Sequence, residues 1–361
     1  MTAASKRIFG LDLLRAFAII GVMIGHGAPL LSAAETSFPW IPLGDGVDMF
    51  FVLSGYLIGG ILIKDFVIDG KLGLKDLGHF LKRRWFRTLP NYYLILGFNL
   101  LFAWMGWNMG TLKGFNLKFL WFGQNLAWPM QGFFWESWSL AIEEWFYLLF
   151  PIVFLLMSLM SLKKEHRKWL FLVASLLFLI IPTLLRIENF SDSIDRYYWD
   201  TVVRKVVIRR MDAIAFGLVS VWVAKYYPMV WKNMRWPLLV IGLILFWAMD
   251  HFRQPVTTAY AQIWIFSLSS LAYAFWLPIL SSWKTAPNWF MLPIRHISLI
   301  SYSLYLVHLA LISEVLQKWY MPETTGRAWL VFGGYMAIAI LISTVLYYIW
   351  EKPMMNLRDR F

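Results

Sequence analysis

The apolar segment LDLLRAFAIIGVMIGHGAPLL, residues 11–31, contains an arginine and a histidine. Arg15 and His26 are eleven residues apart, which on a helix is about 20° beyond three full turns and about 16 Å of rise, so both lie on one face. Asp12, one turn earlier, is placed to pair with Arg15. Since charges at membrane depth are costly and usually functional, we predict that Arg15 and His26 do chemistry; the alternative is a structural ion pair beside a packing histidine.

The composition indicates a membrane protein. Of 361 residues, 60% are hydrophobic and 15% are charged, whereas about a quarter of the residues in soluble domains are charged. The chain has no cysteine, which excludes disulfides and thiolate chemistry. The net charge of +12 does not indicate a nucleic-acid partner, because the basic residues cluster between apolar segments as topology signals.

Segments of about 20 apolar residues are long enough to cross a bilayer. They predict an all-α integral membrane protein, a polytopic bundle of about ten transmembrane helices, at residues 8–31, 47–63, 88–106, 140–160, 169–185, 211–225, 237–250, 260–281, 297–317 and 328–350. The distribution of Lys and Arg favours an N-in/C-in orientation.

Residues 119–138 are apolar but are interrupted by Pro129 and Gly132 and rich in Trp. We predict that they form a dipping or interfacial segment, since Trp prefers the headgroup level. We expect one domain over residues 1–361, with no appended soluble domain.

Polar residues recur in the next two predicted spans. Asp48 lies at the outer end of the second span, level with His26. The following SGYLIGG contains Ser54 and Tyr56 among small residues, which favours close helix packing or substrate contact. Arg84 and Arg87, three residues apart at the cytoplasmic end of the third span, are suited to phosphate binding; the alternative is ordinary positive-inside charge.

The segment FFWESWSLAIEEWFYLLFP opens the fourth predicted span. Glu143 and Glu144 with Trp135 and Trp138 would suit a sugar acceptor, because rings pack on sugar faces and carboxylates accept from hydroxyls. An aromatic belt with headgroup-facing glutamates is the alternative. His308, in SYSLYLVH, is predicted to be a hydrogen-bonded packing histidine.

Taken together, these motifs resemble the membrane acyltransferase-3 family. The resemblance rests on the Arg-x10-His spacing, DMFFVLSGYLI, the Arg-x-x-Arg pair, WSLAIEEWFYLLFP, RRMDAIAFG and SYSLYLVH, in this order along the chain. One departure is Trp145, in EEWFY, where the family usually has glutamine; this bears on the choice of acceptor.

The resemblance implies an integral-membrane O-acyltransferase of the bacterial inner (cytoplasmic) membrane. The donor would be cytoplasmic acetyl-CoA, with its phosphates held by Arg84 and Arg87 and its path lined by Arg15. The acceptor would be a hydroxyl of a surface polysaccharide or lipid-linked saccharide on the outer side.

His26 would then act as general base or as acyl carrier. Asp48 or Glu143 would orient its imidazole, as a carboxylate does in a triad. No metal is expected, because no close ligand spacing of the H-x-x-x-H kind occurs. Two alternatives remain: a transporter of a solute or glycan without acyl transfer, and a donor module that passes acyl groups to a separate outer enzyme.

Overall fold

A computed structural model of the chain describes residues 7–32, 34–37, 43–71, 73–159 and 163–357, and these contain helices and no strand. Residue 160, the end of the fourth predicted span, lies outside the described residues. The long helices are α1 (Phe9–Ser32), α2 (Gly46–Leu62), α3 (Leu74–Met105), α4 (Ser137–Leu159), α5 (Arg167–Glu188), α6 (Asp212–Tyr226), α7 (Arg235–His251), α8 (Ile265–Ser282), α9 (Asn288–Val307) and α10 (Thr325–Leu346).

Wider π-helical turns continue or precede several of these helices. They are Ile63–Ile68 after α2, Tyr260–Trp264 before α8, His308–Ser313 after α9 and Tyr347–Glu351 after α10, with another at Trp199–Arg204. Short α-helices are Arg196–Tyr198, Pro228–Asn233, Glu314–Trp319 and Lys352–Leu357, and 3-10 turns are Leu112–Gly114, Leu117–Trp121, Lys164–His166 and Val207–Arg209. Such π turns are often found at functional sites.

Each predicted span coincides with a helix. By length and composition, seven helical stretches in the described residues could cross a membrane: Phe9–Ser32, Gly46–Ile68, Ser137–Leu159, Lys164–Glu188, Tyr260–Ser282, Asn288–Trp319 and Thr325–Leu357. The multi-pass architecture is therefore confirmed. Helices α6 and α7 have only 15 and 17 residues, and the polar Asn91 and Asn99 lower the hydropathy of α3. The full count of ten and the N-in/C-in orientation stay predictions.

The Trp-rich segment 119–138 forms no helix of spanning length. After the 3-10 turn Leu117–Trp121 it runs through turns until α4 begins at Ser137. Phe119, Phe133 and Phe134 are buried, and their rings pack together. These rings therefore pack the segment into the helical bundle next to the start of α4.

Small residues bring α2 and α6 into backbone contact. A Cβ atom added at Gly55 would lie 1.9 Å from the carbonyl oxygen of Ile214, and one at Gly217 would lie 2.1 Å from that of Val52. Glycine at these two positions therefore fixes the α2–α6 spacing, as small residues do in membrane helix pairs.

Helices α1 and α9 pack side by side and run in the same direction. Arg15 contacts Ser298 at one end, and His26 contacts His308 further along. The residue numbers increase together along both helices, which is the signature of a parallel pair. This parallel packing brings Arg15 to Ser298 on α9 and His26 to His308 in the turn that continues it.

We predict that Gly55→Ala destabilises the protein by about 1–3 kcal/mol through overpacking at the α2–α6 contact. Gly97→Ala in α3 is the matched control, because an added Cβ there meets no atom within 4 Å. Thermal unfolding in detergent, followed by tryptophan fluorescence, measures both variants. Equal melting temperatures for the two would show that the α2–α6 contact tolerates a methyl group.

Candidate active site

Two histidines from distant parts of the chain form a hydrogen-bonded pair. His26 lies on α1 and His308 begins the π-helical turn after α9. The Nδ1 atom of His26 is 2.7 Å from the Nε2 atom of His308, and the two rings are inclined by only 17°. His308 is fully buried, whereas His26 is partly exposed.

The surroundings of His308 assign the protons of the pair. Its Nδ1 atom lies 3.0 Å from the carbonyl oxygen of Leu304 and 2.9 Å from that of Tyr305. Because carbonyl oxygens only accept, this Nδ1 carries the hydrogen and the Nε2 of neutral His308 is an acceptor. His26 therefore donates from Nδ1, which leaves a lone pair on its Nε2, the state that a general base or a nucleophile needs.

The partner of His26 is thus His308, and the structure does not place Asp48 or Glu143 against the imidazole. Asp48 is buried, forms an ion pair with Arg210 and accepts a 2.8 Å hydrogen bond from Ser269. Asp48 therefore ties α2 to the neighbouring segments. The sequence predicted His308 to be a hydrogen-bonded packing histidine. The feature that pointed to a partner role was its position one turn after Tyr305 in SYSLYLVH.

A charged group surrounds the N-terminal end of α2. Asp45 caps this helix, accepts from the backbone of Val47 at 2.9 Å and pairs with Arg204 at 2.9 Å. Burial opposes ionisation of Asp45, but the charges of Arg204 and Arg210 outweigh it and hold the pKa of this carboxyl below its usual range. The charges of Asp45 and Arg204 also act on His26, so the imidazole lies within electrostatic range of this charged group.

A cavity of about 870 Å³ runs beside α2. Residues from Val47 to Asp65 line it, and this stretch of helix is about 27 Å long. One end is basic, with Lys64, Arg83, Arg84 and Arg87 in the lining. The cavity is therefore nearly as long as a bilayer core is thick, with cations at one mouth.

Arg15 lines this cavity and is held by two contacts. It donates to Ser298 Oγ at 3.3 Å and lies 3.7 Å from the carboxylate of Asp12. Asp12 in turn pairs with Arg7 at 2.5 Å and accepts from Ser298 at 2.9 Å. The predicted Asp12–Arg15 pair is present, as one part of a larger polar cluster between α1 and α9.

Glu143, Ser54 and Tyr147 form a polar patch in the middle of the cavity lining. Ser54 and Tyr147 are hydrogen-bonded to each other through their hydroxyls. Tyr56 is not among the lining residues; its ring stacks on Trp231 at 5.9 Å. The structure therefore brings Ser54 and Glu143 to the cavity and places Tyr56 in helix packing.

The tryptophans expected to receive a sugar carry cations on their rings. Arg204 lies 5.1 Å from the ring centre of Trp138, and Lys205 lies 4.7 Å from that of Trp135. Trp138 is only 4% exposed. Glu144 is buried outside the cavity lining. Trp135 and Trp138 therefore lie against the cations of the 204–205 segment, and no open ring face is presented by Trp138.

Glu136, just before α4, is a buried carboxyl that was not among the predicted site residues. Its Oε1 accepts from the backbone N–H of Ala310 at 3.4 Å, and its Oε2 has no hydrogen-bond partner among the described residues. Burial, and then the charge of Glu314, raises the pKa of the Glu136 carboxyl from 4.5 to about 8. Glu136 is therefore protonated near neutral pH. No cluster of three metal-ligating side chains occurs in the described part of the chain.

Comparison with known proteins places the chain in a family. A family model described as an acyltransferase domain, that of the acyltransferase-3 family, matches residues 8–348. The multi-pass helical fold agrees with this match to a class of integral-membrane acyltransferases. The chain belongs to the acyltransferase-3 family.

Several curated relatives are named O-acetyltransferases. O-acetyltransferase OatA of Staphylococcus aureus is 37% identical over 158 residues, 40% of this chain and 24% of the relative. The putative peptidoglycan O-acetyltransferase YrhL of Bacillus subtilis is 32% identical over 245 residues, 62% of this chain and 35% of the relative. The chain thus spans about a quarter to a third of these relatives. No solved structure gives a significant match.

We predict that Glu136→Gln stabilises the protein at alkaline pH. The folded carboxyl stays neutral up to about pH 8 and the unfolded one ionises above 4.5, so its stabilising contribution is complete below pH 4.5 and is lost as pH rises to 8. Glutamine mimics the neutral form, so the melting temperature of the variant should exceed that of wild type at pH 8, with the gap closing toward pH 5. The exposed Glu188→Gln is the control; a similar gap in both variants would contradict the assignment to Glu136.

Proposed function

We propose that this chain transfers an acetyl group from acetyl-CoA, bound from the cytoplasm, to a hydroxyl of peptidoglycan or another surface glycan at the outer side of the bacterial inner membrane. The observation that carries the proposal is the His26–His308 pair, which leaves a lone pair on His26 Nε2. The names of the relatives, O-acetyltransferase and putative peptidoglycan O-acetyltransferase, support the acyl group and the acceptor class.

The cavity beside α2 supports a long donor with phosphates at one end. Arg84 and Arg87 line its basic mouth, and guanidinium groups bind phosphate oxygens through paired N–H donors. Arg15 lines the path further in. The length of about 27 Å accommodates an extended pantetheine arm that carries the thioester away from the mouth.

His26 supplies the proton chemistry. In one route its Nε2 takes the proton of the acceptor hydroxyl while the oxygen attacks the acyl carbon, and the proton then goes to the leaving CoA sulfur. In the other route Nε2 attacks the thioester carbon and the CoA thiolate leaves; the acceptor hydroxyl then attacks the acyl group on Nε2, the N–C bond breaks, and the hydroxyl proton goes to the thiolate. In both, Nδ1–H stays bonded to His308, which stabilises the positive imidazole.

We predict that purified wild-type protein slowly hydrolyses radiolabelled acetyl-CoA, or becomes labelled, without any acceptor. His26→Ala should abolish both signals because the reacting lone pair is gone, and Arg15→Ala should lower them strongly because the donor path loses its cation. His296→Ala is a matched control on α9, since His296 is hydrogen-bonded to Thr344 at 3.0 Å, away from the histidine pair and outside the cavity lining. Retained label would indicate an acyl-enzyme, whereas neither binding nor turnover in wild type would favour a transporter.

We predict that His308→Ala lowers kcat on the order of 10²-fold, in the range of lost acid–base assistance, because His26 loses the acceptor that fixes its tautomer. His308→Gln should recover part of this rate, since its amide oxygen can accept from His26 Nδ1–H. Steady-state rates with acetyl-CoA measure both variants. Equal rates for the Ala and Gln variants would argue against a tautomer-fixing role.

A further inference from the structure

The end of the cavity farthest from the basic mouth carries two hydroxyls on an otherwise apolar wall. Val47, Phe51 and Leu140 form the apolar part, and Ser139 and Tyr305 add the hydroxyls. Both polar side chains are nearly buried, at 5% and 6% exposure. This end lies at the first turn of α2, opposite to the basic mouth, and is therefore where the far end of a long donor would lie.

The two hydroxyls share one carbonyl partner. The Tyr305 hydroxyl oxygen is 2.7 Å from Ser139 Oγ and 3.0 Å from the carbonyl oxygen of Glu136. Ser139 Oγ is also 3.4 Å from the same carbonyl. The two hydroxyl oxygens and the Glu136 carbonyl oxygen thus have only two hydroxyl protons between them. Ser139 can therefore donate to the carbonyl while the Tyr305 hydroxyl donates to a ligand. Redirecting Tyr305 leaves no buried carbonyl unpaired, which keeps the cost low.

Tyr305 also stands between the cavity and the histidine pair. Its ring centre is 5.8 Å from that of His308, and its backbone carbonyl accepts from His308 Nδ1 at 2.9 Å. Among the described residues, neither His26 nor His308 belongs to the cavity lining. Tyr305 is therefore a residue of the cavity wall that contacts His308, the hydrogen-bond partner of His26.

We propose that the Tyr305 hydroxyl is a catalytic residue that donates to the thioester carbonyl oxygen of the donor, a proposal that rests on the acetyl-CoA function above. As the acceptor oxygen, deprotonated by His26, bonds to the acyl carbon, the carbonyl electron pair moves to its oxygen, where Tyr305 O–H stabilises the charge. The C–S bond then breaks, and the CoA thiolate takes the proton from His26. Donors aimed at such developing charge are among the largest contributions to catalysis.

The kinetic test is Tyr305→Phe, which keeps the ring and removes the hydroxyl. We expect kcat to fall on the order of 10²-fold, as for one lost oxyanion donor, with KM for acetyl-CoA rising by at most about tenfold, the range of one hydrogen bond, because the basic mouth is intact. Tyr92→Phe is the matched control: its buried hydroxyl donates to the carbonyl of Phe119 at 2.8 Å, away from the cavity. Unchanged kcat in Tyr305→Phe would overturn the proposal and leave Tyr305 as a wall residue.

A binding test needs no turnover. The probes are CoA and its S-acetonyl thioether, a ketone that has a carbonyl but cannot transfer an acyl group, titrated calorimetrically into the full chain in detergent. We expect Tyr305→Phe to weaken binding of the ketone by up to about tenfold, the range of one hydrogen bond, and to leave CoA binding unchanged. Ser139→Ala, which would leave the Glu136 carbonyl unpaired when Tyr305 turns, should also weaken binding of the ketone alone.

The outcomes distinguish the proposed role of Tyr305 from the proposed use of acetyl-CoA as donor. Equal ketone affinity in wild type, Tyr305→Phe and Ser139→Ala, with CoA still bound, would overturn the role of Tyr305 and leave the acetyl-CoA donor in place. Failure of wild type to bind CoA or the ketone would overturn both.

Discussion

The hydrogen bond between His26 and His308 is the interaction on which the rest of the site depends. It exists only while α1 and α9 stay parallel and close, and other contacts maintain that spacing at both ends. Arg15 and Asp12 contact Ser298 at one end, and Ser313 donates to the carbonyl of His26 at 2.8 Å at the other. Because the bond fixes which nitrogen of His26 carries the proton, a shift of either helix would change the chemistry as well as the packing.

Buried ions hold the frame around this pair. Arg186 and Asp212, both without exposed side-chain surface, pair at 2.7 Å between α5 and α6, and Arg210 pairs with Asp48. Removing one partner of such a pair leaves an uncompensated buried charge, which is strongly destabilising. The motif RRMDAIAFG supplies Arg210 and Asp212, so these two residues stabilise the packing of the helices around the histidine pair.

The cavity separates two kinds of recognition along its length. Its mouth is basic and its other end is apolar with two hydroxyls, which fits the proposed donor, with phosphates at one end and a small reactive carbonyl at the other. Tyr305 lies between this apolar end and His308. Without donor, the Tyr305 hydroxyl is hydrogen-bonded to Ser139 and to the Glu136 carbonyl. With donor bound, we propose that it donates its hydrogen to the thioester carbonyl.

The sequence by itself determined the helical segments, the common face of Arg15 and His26, the cations of the mouth and the family. These follow from local periodicity and composition, because helical geometry relates neighbours on one chain segment directly. Only the tertiary structure decided that His308, 282 residues from His26, is the partner of the imidazole, that Asp48 is committed to Arg210, and that cations cover the rings of Trp135 and Trp138. Spacing along one helix shows which residues share a face, whereas the packing of distant helices decides which faces meet.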